Sequence, residues 1–352
     1  MQVKITGTGS YIPTVIKKNK DFLEVEFYNE KKERFPNSNE IIIKKFKAIT
    51  GIEERRYLVP ELDSSDMGLA ASEKAIKDAK IDKESLNYII VAENFGDVKT
   101  GSNQSDFLPS IGSRIKHGLK IENPNCVAYD VIFGCPGWIQ SMIQAYIYIK
   151  SGEAKKCLVV GTETLSRIVD PNDRDSMIYA DGAGACVVEA SDEPGGVLSY
   201  AAQTHTLNEA YYLFFGNSNN PNLDQNIGYI KMYGRKIYEF ALVNVPLAMK
   251  EALDKSGVDI KDIKKILIHQ ANEKMDEAIV ARFYKLYDME MPKDIMPMTI
   301  NKFGNSSVAT IPTLLDLILN KNFEGHNLKK GDIVLMASVG AGMNINAIVY
   351  QF

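Results

Sequence analysis

Three residues with complementary chemistry stand at similar junctions along this chain. Cys135 follows the apolar segment VAYDVIFG and precedes the helical pattern WIQSMIQAYIYIK. A thiol at such a junction meets unpaired backbone N–H groups and the positive end of a helix dipole, and both favour thiolate. The same N–H groups can hold the oxyanion that forms when a thioester is attacked. Pro136 suits this place, because a first-turn proline sacrifices no helical hydrogen bond. His269 ends the strand pattern KKILIH and leads into QANEKMDEAI, another helix start. Asn305 follows Phe303-Gly304 at a third junction. A neutral imidazole N–H and a carboxamide N–H can both stabilise an enolate oxygen, the group on which charge develops when a malonyl thioester loses carbon dioxide. Each residue also has a plainer role: Cys135 as a buried thiol, His269 as a structural strand-end residue, Asn305 as a helix cap.

Internal duplication is what ties the three together. AASEKAIKDAKIDKESLNYIIVAE (Ala70–Glu93) and LAMKEALDKSGVDIKDIKKILIHQ (Leu247–Gln270) both read as an amphipathic helix, a turn and a β-branched strand. Asp82 falls over Asp259 in this alignment, and Ile89-Ile90-Val91 over Ile266-Leu267-Ile268. A second echo begins at Phe133-Gly134-Cys135 and at Phe303-Gly304-Asn305, which makes Cys135 and Asn305 counterparts. DGAGACVVEA (Asp181–Ala190) and GAGMNINAIVY (Gly340–Tyr350) form a third, in the same order. Three echoes predict two related halves, 1–195 and 196–352, each of α/β layers. Almost entirely apolar helices point to an inner helical layer. The GAG tails predict hairpin-like sheet edges.

Composition narrows the class without choosing it. The chain has 352 residues, 45% hydrophobic and 24% charged, with a net charge of −4. That describes an ordinary soluble globular protein and gives no global reason to expect nucleic acid. No apolar run reaches the roughly 18 residues of a membrane span. The start, MQVKITGTGSYIP, lacks the apolar core of a signal peptide. Cys126, Cys135, Cys157 and Cys186 show neither close pairing nor metal-ligand spacing, so reduced thiols and a cytoplasmic location are expected. Asn29–Glu40, NEKKERFPNSNE, reads as a solvated insertion. Tyr211, Tyr212, Phe214 and Phe215, within Thr206–Tyr233, could line an acyl pocket or belong to the core.

KITGTGSYIP at the start, TGIEERR at Thr50–Arg56, the Gly-Cys turn at Cys135, DPNDRDSMIYADGAGA, IHQAN at Ile268–Asn272 and GNSS at Gly304–Ser307 span nearly the whole chain. In them the sequence resembles the β-ketoacyl-acyl-carrier-protein synthase III family of the thiolase superfamily. HQAN and GNSS after a central cysteine are specific together; DGAGA alone is weak. The resemblance implies a thiolase-like five-layered αβαβα fold, a homodimer, and no metal or redox cofactor. It implies Cys135 as nucleophile, with His269 and Asn305 assisting decarboxylation, and the backbone N–H groups of Cys135 and Ala341 as the oxyanion hole. Lys274, Arg174 and Asn272 are the implied carrier or substrate contacts. The implied partners are acyl carrier protein, an acyl-CoA or acyl-carrier donor, and a malonyl-carrier extender.

Departures leave the donor open. Acetyl-CoA users of the family often carry a Trp and an Arg before the TGI segment, clamping the nucleotide; KKFKAITGI here places Lys45 and Ile49 at about those positions. Cys135 is followed by Pro-Gly instead of small apolar residues. The same three residues would serve a specialised ketosynthase, such as one forming alkylresorcinols, and thiolate plus histidine would also suit a thioester hydrolase. Head-to-head acyl condensation is disfavoured, since Leu108 precedes Pro109 where a glutamate is often found. A non-catalytic acyl-binding subunit would be expected to have lost the cysteine.

Overall fold

The computed structural model describes residues 1–321, 323 and 325–352. In chain order, residues up to 191 supply β1 (Gln2–Tyr11), β2 (Val15–Lys18), α1 (Asn39–Thr50), β3 (Glu54–Tyr57), α2 (Ser64–Ala79), β4 (Tyr88–Ala92), β5 (Asp97–Val98) and β6 (Ser105–Asp106). They continue with α3 (Ile111–Gly118), β7 (Val127–Val131), α4 (Gly137–Lys150), β8 (Lys156–Thr164) and β9 (Asp181–Ser191). From Gly196 onward come β10 (Gly196–Thr204), β11 (Leu213–Asn217), β12 (Gly228–Met232), α5 (Gly234–Ser256), β13 (Ile263–Ile268) and α6 (Glu273–Lys285). The chain finishes with α7 (Ile300–Phe303), α8 (Thr310–Asn320), β14 (Ile333–Gly340) and β15 (Asn344–Gln351).

Two mixed sheets organise these elements. One has the order β1-β9-β8-β4-β7 and the other β10-β15-β14-β13. β4 runs parallel to β7 and β8, and β13 parallel to β14, whereas β9 and β15 are antiparallel to both neighbours. Helices α4 and α8 lie between the sheets, α2 and α3 cover the outside of the first, and α5 and α6 cover the second. The result is five layers, αβαβα, and the side chains show why they hold. Trp138, Met142, Ile311 and Leu314 of the inner helices meet Val159 and Val188 from one sheet and Met336 and Ile348 from the other. A separate core lies under each outer helical layer. An inner helix with apolar residues all round can be stable only between two such faces.

The duplicated segments fold alike in detail. The Asp82 side chain accepts from Glu84 N–H at 3.0 Å, and the Asp259 side chain accepts from Lys261 N–H at 2.9 Å; each caps a short 3-10 turn ahead of its strand. The expected sheet edges are a correction. β9 and β15 pair like hairpins with β8 and β14, but β1 and β10 cover their far sides, so both strands are internal. Burial on both faces fits their near-continuous small and β-branched residues. The second sheet also stops at four strands: beside β13, Ile295 C=O accepts from Ile266 N–H at 2.9 Å without forming a strand.

Close packing of the inner layer sets a test. A Cβ on Gly161 of β8 would lie 2.3 Å from the Val308 carbonyl oxygen, just before α8. Backbone cannot yield as a side-chain tip can, so Gly161→Ala is expected to destabilise by about 1–3 kcal/mol. Urea unfolding checks this; an unchanged midpoint would show that α8 can shift at no cost.

Candidate active site

Strand ends and turns deliver the three reactive residues to one place. Cys135 lies between β7 and α4, on a turn closed by Gly137 N–H donating to Gly134 C=O at 3.0 Å. His269 follows β13 directly, its N–H donating to Ala337 C=O at 2.9 Å. Asn305 follows α7, its backbone donating to Ile178 C=O at 2.9 Å and accepting from Ala180 N–H at 2.8 Å. That pairing, around a bridge between Tyr179 and Asn305, ties the second-half loop to the first half. Cys135, His269 and Asn305 then line one cavity of ≈ 530 Å³. His269 and Asn305 are each only 4% exposed, and Cys135 is half-buried.

The polar geometry specifies what each group can offer. Asn305 Oδ1 accepts from Ser307 N–H at 2.8 Å. With its carbonyl oxygen occupied, the side chain has two amide N–H donors that meet no partner among the described residues and can serve a substrate oxygen. Burial pulls the His269 imidazole down to about 4, and a backbone contact with Ser307 offsets only part of this. The ring is therefore uncharged near neutral pH and keeps a single N–H. The Nδ1 atom is buried with no hydrogen-bond partner among the described residues.

Cys135 departs from the expected thiolate. Burial pushes its thiol up to about 11, against a lowering hydrogen bond from the Ser307 side chain. Removing the thiolate from water outweighs the helix terminus. Alkylation of Cys135 by iodoacetamide should then accelerate about tenfold per pH unit through pH 9, because the thiolate fraction grows that way below its pKa. A plateau reached below pH 8 would show that the helix terminus prevails.

The oxyanion candidates are brought close by two glycines. Gly134 has φ +66°, and a Cβ there would lie 2.6 Å from Ala341 N. A Cβ on Gly340 would lie 2.4 Å from Cys135 N. Only glycine permits both the positive φ and this approach of two backbone segments. Cys135 N–H lies beside its own sulfur and has no other hydrogen-bond partner among the described residues.

The binding residues divide. Arg174 lines the cavity with its guanidinium 5.2 Å from the Phe35 ring centroid. Asn272 also lines it, yet its side chain caps α6 by accepting from Met275 N–H at 3.1 Å. Lys274 is exposed and does not line the cavity. Lys45 and Ile49 do line it.

Several wall residues were not evident from sequence. The 29–40 insertion is more than a solvated loop: Phe35 N–H donates to Phe27 C=O at 3.0 Å, and Glu30, Phe35 and Asn37 form part of the cavity wall. Of the 206–233 segment, Leu213 and Met232 line the cavity, whereas Tyr211 is 78% exposed and Phe215 52% exposed. Leu213 and Met232 are a cross-strand pair of the β11–β12 hairpin, so the two wall residues stand side by side. Ser307 touches both Cys135 and His269, and its place in GNSS was the available signal.

The fold and this constellation define a thiolase-fold condensing enzyme. The family model for 3-oxoacyl-[acyl-carrier-protein (ACP)] synthase III matches residues 129–206, and that for its C-terminal part matches 253–352. The chain is 31% identical over 353 residues to β-ketoacyl-[acyl-carrier-protein] synthase III of Staphylococcus haemolyticus, covering 100% of this chain and 99% of that one. The crystal structure of 3-oxoacyl-[acyl-carrier-protein] synthase III from Aquifex aeolicus superposes with a TM-score of 0.81 at 30% identity, covering 99% and 100% of the two chains. The priming β-ketosynthase of the R1128 polyketide pathway superposes with a TM-score of 0.81 at 25% identity, covering 100% and 96%. The chain belongs to the 3-oxoacyl-[acyl-carrier-protein] synthase III family, acyltransferases that form carbon–carbon bonds.

Proposed function

We propose that this enzyme joins an acyl thioester to a malonyl-carrier thioester by decarboxylative Claisen condensation, in fatty-acid or related lipid synthesis. Cys135 takes the acyl group from a CoA or acyl-carrier donor, expelling the donor thiol and forming an enzyme thioester. Loss of carbon dioxide from the malonyl group then leaves an enolate, whose oxygen accepts from His269 and Asn305. The enolate carbon attacks the enzyme thioester, and the tetrahedral oxyanion is held by the N–H groups of Cys135 and Ala341; its collapse breaks the carbon–sulfur bond, freeing the Cys135 sulfur and leaving the β-ketoacyl group on the carrier. The single observation that carries this reading is the shared cavity in which Asn305, its oxygen occupied, and an uncharged His269 face the same space as Cys135. A hydrolase needs a base for water, and a His269 uncharged because it holds protons weakly serves that role poorly.

Substrates on this reading are an acyl thioester of CoA or of acyl carrier protein and a malonyl thioester on the phosphopantetheine arm of acyl carrier protein, with no metal or redox cofactor taking part. Arg174 and Lys274, at the cavity wall and on the surface beyond Asn272, are proposed contacts for that arm or its protein, and Asn272 a further wall contact. The halves 1–195 and 196–352 are taken as products of duplication. A homodimer is proposed through the edge strand β7 and the neighbouring 107–108 loop, where Leu108 is 87% exposed and Val127 47% exposed. No helix among the described residues is long and apolar enough to cross a membrane.

Intact-protein mass spectrometry after incubation with a panel of acyl-CoA and acyl-carrier donors tests the reading. It should show one acyl group per chain, mapped to Cys135. Release of free acid without a condensation product, once a malonyl-carrier thioester is added, would refute it.

A further inference from the structure

Behind the nucleophile, outside the cavity, lies a polar cluster that the condensation chemistry leaves unused. Glu93 and Asn94 follow β4 directly, and Glu163 is near the end of β8, the parallel neighbour of β4. Both carboxyls are almost fully buried, at 1% and 2% exposure. Asn94 Nδ2 donates to Glu163 Oε1 at 2.5 Å, and Asn94 Oδ1 accepts from Gly134 N–H at 2.9 Å. The chain of bonds therefore runs from a buried carboxyl, through a carboxamide, to the residue immediately before Cys135.

Gly134 has little freedom left. Its N–H is held by Asn94, its carbonyl accepts from Gly137, and its Cα abuts the Ala341 backbone. The peptide plane it shares with Cys135 fixes where the Cys135 N–H points and where its Cα, the root of the thiol side chain, lies. Burial raises the Glu163 carboxyl well above its ordinary range, which favours the uncharged acid. An uncharged Glu163 can accept from Asn94 without placing a repelling charge behind the thiol.

We propose that Glu163 and Asn94 are positioning residues for Cys135, a buried strut that sets the nucleophile and its oxyanion N–H. It rests on the assignment of Cys135 as the acyl carrier. The strut serves acyl transfer and leaves the enolate-stabilising pair, His269 and Asn305, untouched, since those residues come from other loops. Misplacing a reacting group by about 1 Å can cost on the order of 100-fold in rate.

The test compares two activities in three variants, Asn94→Ala, Glu163→Ala and Glu163→Gln. One activity is acylation of Cys135 by whichever donor of the panel the parent accepts; the other is carbon dioxide release from malonyl-acyl-carrier protein without that donor. Both alanine variants should lose about 10- to 100-fold in the saturated acylation rate. Their half-saturating donor concentration and their carbon dioxide release should stay within about threefold of the parent. Glu163→Gln keeps the accepting oxygen and should acylate within about threefold of the parent. Parent-like acylation in both alanine variants would overturn the strut, as would a matching fall in carbon dioxide release or a glutamine variant as slow as alanine. If Glu163→Ala does not fold, Asn94→Ala decides, because Asn94 is only half-buried. A parent that forms no adduct at Cys135 overturns the nucleophile assignment first, and the strut with it.

Discussion

Cys135→Ala is expected to form no acyl-enzyme with any donor and to lose condensation by on the order of 10⁴-fold or more. The covalent route divides one hard carbon–carbon bond formation into two thioester exchanges, and no neighbouring side chain can replace the thiol. Among the described residues, the other cysteines are buried in the interlayer cores or beneath α3, away from the cavity. His269 and Asn305 remain in place in this variant, so malonyl decarboxylation should persist. Intact mass and trapped carbon dioxide measure the two halves separately. An acyl adduct on the alanine variant, at any residue able to pass the group to the extender, would remove Cys135 from the mechanism.

Asn305→Ala is expected to lower condensation by about 10²- to 10³-fold, equivalent to about 2.7–4 kcal/mol of transition-state stabilisation. The amide donates to the extender oxygen only as charge builds there, so acylation of Cys135 should change far less. Equal losses in acylation and condensation would show that Asn305 supports the loop instead, since its backbone does bridge to Ile178 and Ala180. His269 contributes to the same step through its neutral ring. Its pKa of about 4 lies below the working range, so the fraction able to donate without carrying charge is constant from about pH 6 to 8. As pH falls through 4 the ring gains a proton and that fraction declines. Decarboxylation should thus be flat near neutrality while Cys135 alkylation climbs, two distinct profiles from two residues of one cavity.

Much of the fold was legible because its signals are local. The helix-turn-strand echoes, the paired Asp82 and Asp259, and the apolar α4 and α8 predict layered halves from periodicity alone. What periodicity misplaced was the outer boundary of each sheet. β9 and β15 read as edges because nothing local announces that β1 and β10, far away in sequence, will cover them. The insertion misled for a related reason. Its charges describe the side facing water, whereas Phe35 turns under Arg174 and into the cavity wall.

By itself, the sequence determined the cast and the family: a cysteine, a histidine and an asparagine at matched junctions, within motifs specific enough to predict the condensing chemistry. Residue type and spacing suffice for that, since they dictate which groups can ionise, donate or attack. Only the tertiary structure decided the state of those groups. Burial set against a helix terminus keeps the Cys135 thiol protonated, a bond from Ser307 leaves Asn305 as a donor, and Asn94 links Glu163 to the turn before Cys135. Each depends on solvent exclusion or on contacts between segments distant in the chain, and neither is encoded in any local run of residues.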